Sequence, residues 1–385
     1  MKIDPYKNEA KFLRWKESVS GGIPDLTPQN SRILLDYLSD MEMGLNVSKD
    51  SKKGARSYIR LNCLKVHLGF LMKSFTDRFK LDKITLINEN QVHRFFLDMR
   101  SGKILTQDGR IYKSAADFVK DFKAFWHWHQ KVSKKKGIEV QDITTDLDTK
   151  KDKPKWVYLT ENQVRTLSNN AKYEYRVLIM FLYDTGIRSP TELINIRVGD
   201  FYNDFKELDI REEISKTFGR RIKLLLCSKL IKDYVKIKGL NTNDQVFPIS
   251  PSGANRYLKR LAQKLLGDGV SEAGKKYTEL SLYDFRHCSC CYWLPRYKSE
   301  SALKFRFGWK KSDKIHYYSE MLGMRDTIQE EDLLVDITKT EIEKRLGKAE
   351  QEAEFLREDN QQMKIQMKRI MEFVIKLESQ MGVLS

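Results

Sequence analysis

The sequence contains no apolar run near the roughly 20 residues that a membrane-spanning helix needs, so no membrane partner is expected. Its first residues, Met-Lys-Ile-Asp-Pro-Tyr, lack the apolar core of a secretory signal. Cysteine is sparse. Five residues, an odd number without framework spacing, point to a reducing interior and predict a cytoplasmic protein. Cys288 and Cys291 form a C-x-x-C pair, but no second Cys or His pair follows at finger spacing. They read as small side chains packing a helix, with no metal expected. Negative charge is also short. Fifty-three acidic residues face 70 basic ones, for a formal charge of +17. That surplus favours a polyanionic partner, most often nucleic acid, because releasing condensed counterions drives binding.

What is present is enough for globular cores: 41% hydrophobic residues, 19 of them Phe. At 385 residues the chain is too long for one ordinary core, and two or three domains are expected. Residues 1–26 read as irregular, with Gly21, Gly22 and Pro24 as breakers. Residues 27–145 read as a helical domain. Leu61, Leu64, Leu68, Leu71 and Phe75 recur at helix spacing, Asn88 is a cap, and Phe118, Phe122 and Phe125 line a further helix. Lys52, Lys53, Arg56, Arg60, Lys65, Lys73 and Lys80 give this domain either a solvated face or a DNA-contacting one. His127 and His129 would point to different sides of a helix and are not expected to share a metal.

Residues 146–157 are charged and contain Pro154, a linker composition. A second domain is expected over 158–325, mostly helical with a small antiparallel sheet. Thr160 and Gln163 form a capping box, a helix spans 173–183, and another is expected near Thr191, carrying Leu193, Ile194 and Ile196. Residues 207–211 and 220–226 read as strands around a polar turn. In the tail, 326–385, apolar residues from Ile342 to Met381 alternate in steps of four and three. That is a heptad seam, predicting a helix ~60 Å long that either self-associates as a coiled coil, the favoured reading, or packs on its own catalytic domain. Asn360 at an a position favours two strands, so the tail predicts a dimer. The class is therefore mainly α with a small antiparallel β-sheet.

Candidate chemistry lies in the second domain. Arg188 follows Asp-Thr-Gly, and the glycine permits a turn that aims the guanidinium into a cleft. Glu192 either holds Arg188 or begins the next helix. Lys216 lies at the tip of the expected hairpin, where an ammonium can reach a leaving oxygen. Tyr283 and Arg286, three apart at a helix start, share a face, while His287 is expected to point elsewhere and support the fold. Trp309 either donates its indole N–H to a phosphate or fills a core. Tyr317 and Tyr318 are adjacent, so only one faces a given cleft, and the spacing from Gly308-Trp309 favours Tyr318. Two arginines clamp a phosphate, a lysine supplies a proton, and a tyrosine attacks phosphorus. Together they are sufficient to break and rejoin a DNA strand with no metal or nucleotide cofactor.

This ordered set resembles the tyrosine recombinase (integrase) family. Residues 158–323 resemble its catalytic domain, and 27–135 its core-binding domain by pattern and placement. The resemblance implies Arg188 and Arg286 as phosphate clamp, Lys216 as general acid, Trp309 as phosphate hydrogen-bonder and Tyr318 as nucleophile. It implies double-stranded DNA as partner and a tetramer on DNA. Two departures stand out. Tyr283 occupies the first position of the family's His-x-x-Arg, where a phenol is a poor base near neutrality. Glu192 is four residues after Arg188, where three is commoner. The Tyr283 replacement resembles archaeal virus and plasmid integrases. The implied activity is site-specific integration or excision of a mobile element. DNA relaxation of the type IB topoisomerase kind, and a non-catalytic dimeric DNA-binding role, are the alternatives.

Overall fold

The computed structural model describes residues 2–47, 54–150, 153–297, 299–322 and 367. The heptad tail, Lys52 and Lys53 lie outside the described residues, apart from Met367.

The first half is built from α1 (Asn8–Ser18), α2 (Pro28–Met43), α3 (Tyr58–Phe79), α4 (Glu89–Arg100) and α5 (Ala115–Lys135). The segment expected to be irregular thus carries a helix. Phe12 is buried at 1% exposure against the α3 side of the core, and Trp15 packs beside it, so tertiary burial holds a helix that local pattern did not announce. Caps fix the later boundaries. The Thr27 side chain accepts from Asn30 N, Pro28 opens α2, and Gly44 ends it in the left-handed conformation. Asn88 and Gln91 form a reciprocal capping box on α4. Along α3, Leu61, Leu64, Leu68, Leu71 and Phe75 form one buried face that meets α2 and α5. Phe75 stands edge-on to Phe95 at 4.7 Å and to Phe122 at 5.8 Å. Phe75→Ala would cost about 3–5 kcal/mol.

The second half begins at α6 (Glu161–Asn169), opened by the Thr160–Gln163 capping box. α7 (Tyr173–Thr185) is buried almost all round its second half, from Val177 to Thr185, and packs between α6 and α10 (Asp284–Trp293). The helix expected near Thr191 is a single 3-10 turn, Leu193–Asn195. It stops there because Ile196 is drawn into backbone pairing, its carbonyl accepting from Val246 N at 3.0 Å. The sheet has three antiparallel strands in the order β1 (Phe201–Tyr202), β2 (Glu207–Ile210), β3 (Arg220–Lys223). Leu208 pairs with Ile222, and the alternating Leu208 and Ile210 are fully buried. α8 (Ser228–Lys238) and α9 (Pro251–Leu266) follow, then α10, α11 (Glu300–Phe307) and α12 (Asp313–Met321). Buried Asp184 gathers the chain around α7. Its Oδ2 accepts from Leu225, Leu226 and Cys227 N, and its Oδ1 pairs with Arg306 at 2.8 Å. No described helix is long and apolar enough to cross a membrane.

Candidate active site

Four elements meet at the turn that ends α11. Gly186, at φ 58°, ends α7 and lets the chain double back toward Arg188. A Cβ there would stand 2.3 Å from the Phe307 ring, so only glycine fits this crossing. The Arg188 guanidinium donates through Nη1 to Glu192 Oε1 at 2.7 Å and through Nη2 to the Gly308 carbonyl at 2.8 Å. Arg286, one turn into α10, donates to the Gly186 carbonyl at 2.5 Å and to the Phe307 carbonyl at 2.6 Å. The two arginines therefore sit on adjacent carbonyls of one turn. Gly308 itself, at φ 61°, leaves no room for a side chain, because a Cβ would lie 2.9 Å from Arg220 Nη1.

Glu192 resolves its two sequence readings toward support. Its carboxylate is fully buried and is shared by Arg188 and by Arg220, which pairs through Nη2 at 2.9 Å. Glu192 Oε2 also accepts from Arg188 N at 2.8 Å. Burial alone would raise its pKa. The Arg220 charge and hydrogen bond, the Arg188 backbone bond and the Arg188 charge outweigh this and bring it down to about 2. Arg220, a strand residue that the sequence did not single out, also donates from Nε to the Arg306 carbonyl at 2.9 Å. Burial and the neighbouring Arg188 lower the Arg286 pKa to about 10, which still leaves it charged near neutrality. Three guanidiniums face one carboxylate, so the site carries surplus positive charge suited to an anion.

The β2–β3 loop closes one side. Thr217 Oγ1 donates to the Gly308 carbonyl at 2.9 Å, pinning the loop to the arginine turn. Lys216, next in line, is exposed and has no hydrogen-bond or ion-pair partner among the described residues. Trp309 follows Gly308. Its ring stacks on Phe307 at 4.9 Å and on Tyr318 at 5.9 Å, with planes 13° apart in the second pair. The Arg286 guanidinium lies 6.0 Å from the Trp309 ring. Tyr318, on α12, is 3% exposed, and burial raises its pKa. Tyr317 points another way: its hydroxyl accepts from Trp156 Nε1 and donates to the Pro154 carbonyl, both at 2.8 Å. Arg188, Arg286, Trp309 and Tyr318 are thus brought together, with Lys216 on the adjoining loop. Tyr283 is 46% exposed at the start of α10 and meets the edge of His287 at 5.2 Å.

His287 was expected to face away from the site. Instead its Nδ1 lies 2.5 Å from the Tyr318 hydroxyl, and its ring stacks on Trp156 at 4.7 Å. Burial first, then Arg286, Lys314 and Lys275, lower its pKa to about 3, so the ring is neutral, and with its hydrogen on Nε2 it accepts the phenolic O–H at Nδ1. The available signal was the four-residue spacing from Tyr283, which shares a helix face as fully as three.

The cysteines of α10 are packed as expected, Cys288 at 1% and Cys291 at 5% exposure. In the helical half, Cys63, His67 and Asp121 offer ligand atoms within 4.8 Å of one another. Asp121 is already paired with Arg60 at 2.5 Å and His67 at 2.6 Å, which makes this an internal ion network.

Residues 157–322 match the phage integrase family. That stretch runs from Val157 through Tyr318, and so contains each candidate residue. Over that stretch, the chain is similar to the phage integrase family. Among curated proteins none matches the chain. Solved structures share its fold at low sequence identity. A lambda integrase dimer bound to a COC' core site is 14% identical with a TM-score of 0.57, over 80% of this chain and 81% of that one. The Tn1549 transposon integrase in complex with transposon right end DNA is 13% identical with a TM-score of 0.53, over 80% and 98%. At these identities the likeness is one of fold. The match over residues 157–322 makes the chain a tyrosine recombinase.

Proposed function

We propose that this tyrosine recombinase cuts and rejoins double-stranded DNA at a specific site through a 3′-phosphotyrosyl link, serving integration or excision of a mobile element. The observation that carries the reading is the pairing of Arg188 and Arg286 on the adjacent carbonyls of Gly308 and Phe307, with Tyr318 stacked on the next residue. Each guanidinium has five N–H donors, so both keep donors for a scissile phosphate beyond these contacts. Tyr318 Oη gives up its proton to water as it attacks phosphorus, the P–O5′ bond breaks, and Lys216 Nζ gives its proton to the leaving 5′ oxygen. Because the new ester keeps the energy of the old one, a 5′ hydroxyl of the partner strand reseals the break by the reverse path without ATP. The Trp309 indole N–H, which meets no acceptor among the described residues, donates to a phosphate oxygen, and the Tyr283 phenol serves as a second neutral donor. The +17 charge supports a DNA partner. The solved lambda and Tn1549 structures, both bound to DNA, support it by fold.

In the same reading, 27–145 contacts DNA as a core-binding domain, 146–157 links it to a catalytic domain over 158–325, and the 326–385 heptads pair protomers within a tetramer on DNA. The test is covalent capture. The full chain is mixed with a library of nicked duplexes of randomised core sequence, and detergent-resistant protein–DNA adducts are recovered. Sequence-converging adducts from the parent chain and none from Arg286→Ala support the proposal. No adduct from any duplex overturns it, and adducts without sequence convergence favour DNA relaxation instead.

A further inference from the structure

The nucleophile's surroundings contain a group that the clamp, acid and hydrogen-bond roles leave unused. Tyr283 occupies the place where a base would be looked for, yet it is 46% exposed, and its ring meets His287 edge-on. His287 is the side chain that reaches the Tyr318 hydroxyl, at 2.5 Å. Its ring is also stacked on Trp156 at 4.7 Å with planes 26° apart. Trp156 in turn donates its indole N–H to Tyr317, whose hydroxyl is tied to Pro154. Both tyrosines of α12 are therefore fixed by one aromatic–imidazole assembly that starts in the linker.

Resting on the recombinase reading, we infer that His287 is the positioning residue for Tyr318. Its Nδ1 accepts the phenolic hydrogen bond and sets where Oη points, and Trp156 holds the imidazole in that orientation. The charge state suits this task. The groups that act on the ring, Arg286, Lys314 and Lys275, are all cationic, and with burial they keep it neutral at working pH. A neutral ring bearing its hydrogen on Nε2 presents a fixed acceptor at Nδ1. A protonated ring would have no acceptor at all. The need is steric as well as electrostatic. The hydroxyl must lie in line with the departing 5′ oxygen, and an ångström of misplacement lowers a rate by about 100-fold. The ring stack on Trp309 fixes the plane of Tyr318 but does not fix its tilt toward phosphorus, and the hydrogen bond supplies that restraint.

Asparagine places an amide oxygen near the position of Nδ1, whereas leucine fills similar volume without an acceptor. On a duplex that the parent chain captures covalently, His287→Leu is expected to slow single-turnover adduct formation by about 100-fold. His287→Asn is expected to stay within about threefold of the parent, since it restores the acceptor. Both variants should keep the parent's affinity for the duplex. A leucine variant as fast as the parent overturns the inference and leaves the recombinase reading standing. An asparagine variant as slow as leucine overturns it in favour of proton abstraction by His287. A parent chain that captures nothing overturns the recombinase reading and this inference with it. A second measurement is independent of activity. With 15N-labelled histidine in the DNA-free full chain, His287 is expected to show an unprotonated, hydrogen-bonded Nδ1 whose resonance moves in Tyr318→Phe. A protonated Nδ1, or a resonance indifferent to Tyr318→Phe, contradicts the contact on which the inference stands.

Discussion

Replacing Glu192 by Gln keeps the shape of the buried site and removes the charge that its arginines share. In the folded chain the carboxylate is fully buried, 2.7 Å from Arg188 and 2.9 Å from Arg220, whose side chain is also fully buried. Loss of one partner of such a pair leaves an uncompensated buried cation, a change that typically costs about 3–5 kcal/mol. The pH dependence gives a second, separate magnitude. The folded pKa is about 2 against an ordinary value of 4.5. At 1.36 kcal/mol per unit, that difference contributes about 3 kcal/mol of stability at neutral pH. Because the folded pKa is depressed, the contribution is complete above the unfolded value and is lost as pH falls toward 2. By pH 3.5, about 1.4 kcal/mol of it has gone. The assay is urea unfolding of the parent and Glu192→Gln at pH 7 and again at pH 3.5. Glu192→Gln should be less stable by several kcal/mol at pH 7, and the gap should narrow by about 1.4 kcal/mol at pH 3.5. A gap under about 0.5 kcal/mol at pH 7, the range of ordinary surface changes, would refute the reasoning, as would a gap that widens on acidification.

Arg286→Lys keeps a positive charge but cannot span the Gly186 and Phe307 carbonyls. It should reduce single-turnover cleavage by about 100-fold, with duplex affinity by gel shift nearly unchanged. Lys216→Ala should slow cleavage by about 10²–10⁴-fold. It should recover on a substrate whose 5′ bridging oxygen is sulfur, a leaving group that departs without a proton; no recovery would remove Lys216 from the acid role. Gly186→Ala should lower stability by about 1–3 kcal/mol, because the residue sits at φ 58° and its Cβ would meet Phe307 at 2.3 Å. An unchanged urea midpoint would contradict that crossing.

Much of this fold was legible because its signals are local. The Asn88 cap, the Thr160–Gln163 capping box, the glycine ending α7, and the alternation of Leu208 and Ile210 all follow from side chains acting on their own backbone. Features decided by distant partners were not. α1 exists because Phe12 finds the α3 side of the core, and the helix expected after Thr191 gives way because Ile196 pairs with Val246, 50 residues along. The site divides in the same manner. The arginines, Lys216, Trp309 and Tyr318 carry recognisable spacing. The arrangement that supports them does not: Arg220 reaches Glu192 across the sheet, and His287 reaches Tyr318 over 31 residues. His287 was set aside by counting only the three-residue spacing from Tyr283, although a four-residue spacing shares that face. The heptad tail is a reading of sequence alone, since its residues from 342 to 381 lie outside the described residues but for Met367.

The central claim is that Tyr318 forms the covalent bond to DNA, and its neighbour makes the sharpest control. Tyr317 is the adjacent residue on α12, but its hydroxyl is bound to Trp156 and Pro154. The deciding measurement is peptide mass spectrometry of the protein–DNA adduct after nuclease trimming. A nucleotide remnant on Tyr318, with no adduct from Tyr318→Phe and an undiminished one from Tyr317→Phe, is the predicted result. A remnant on Tyr317, or an adduct that survives Tyr318→Phe, contradicts the account.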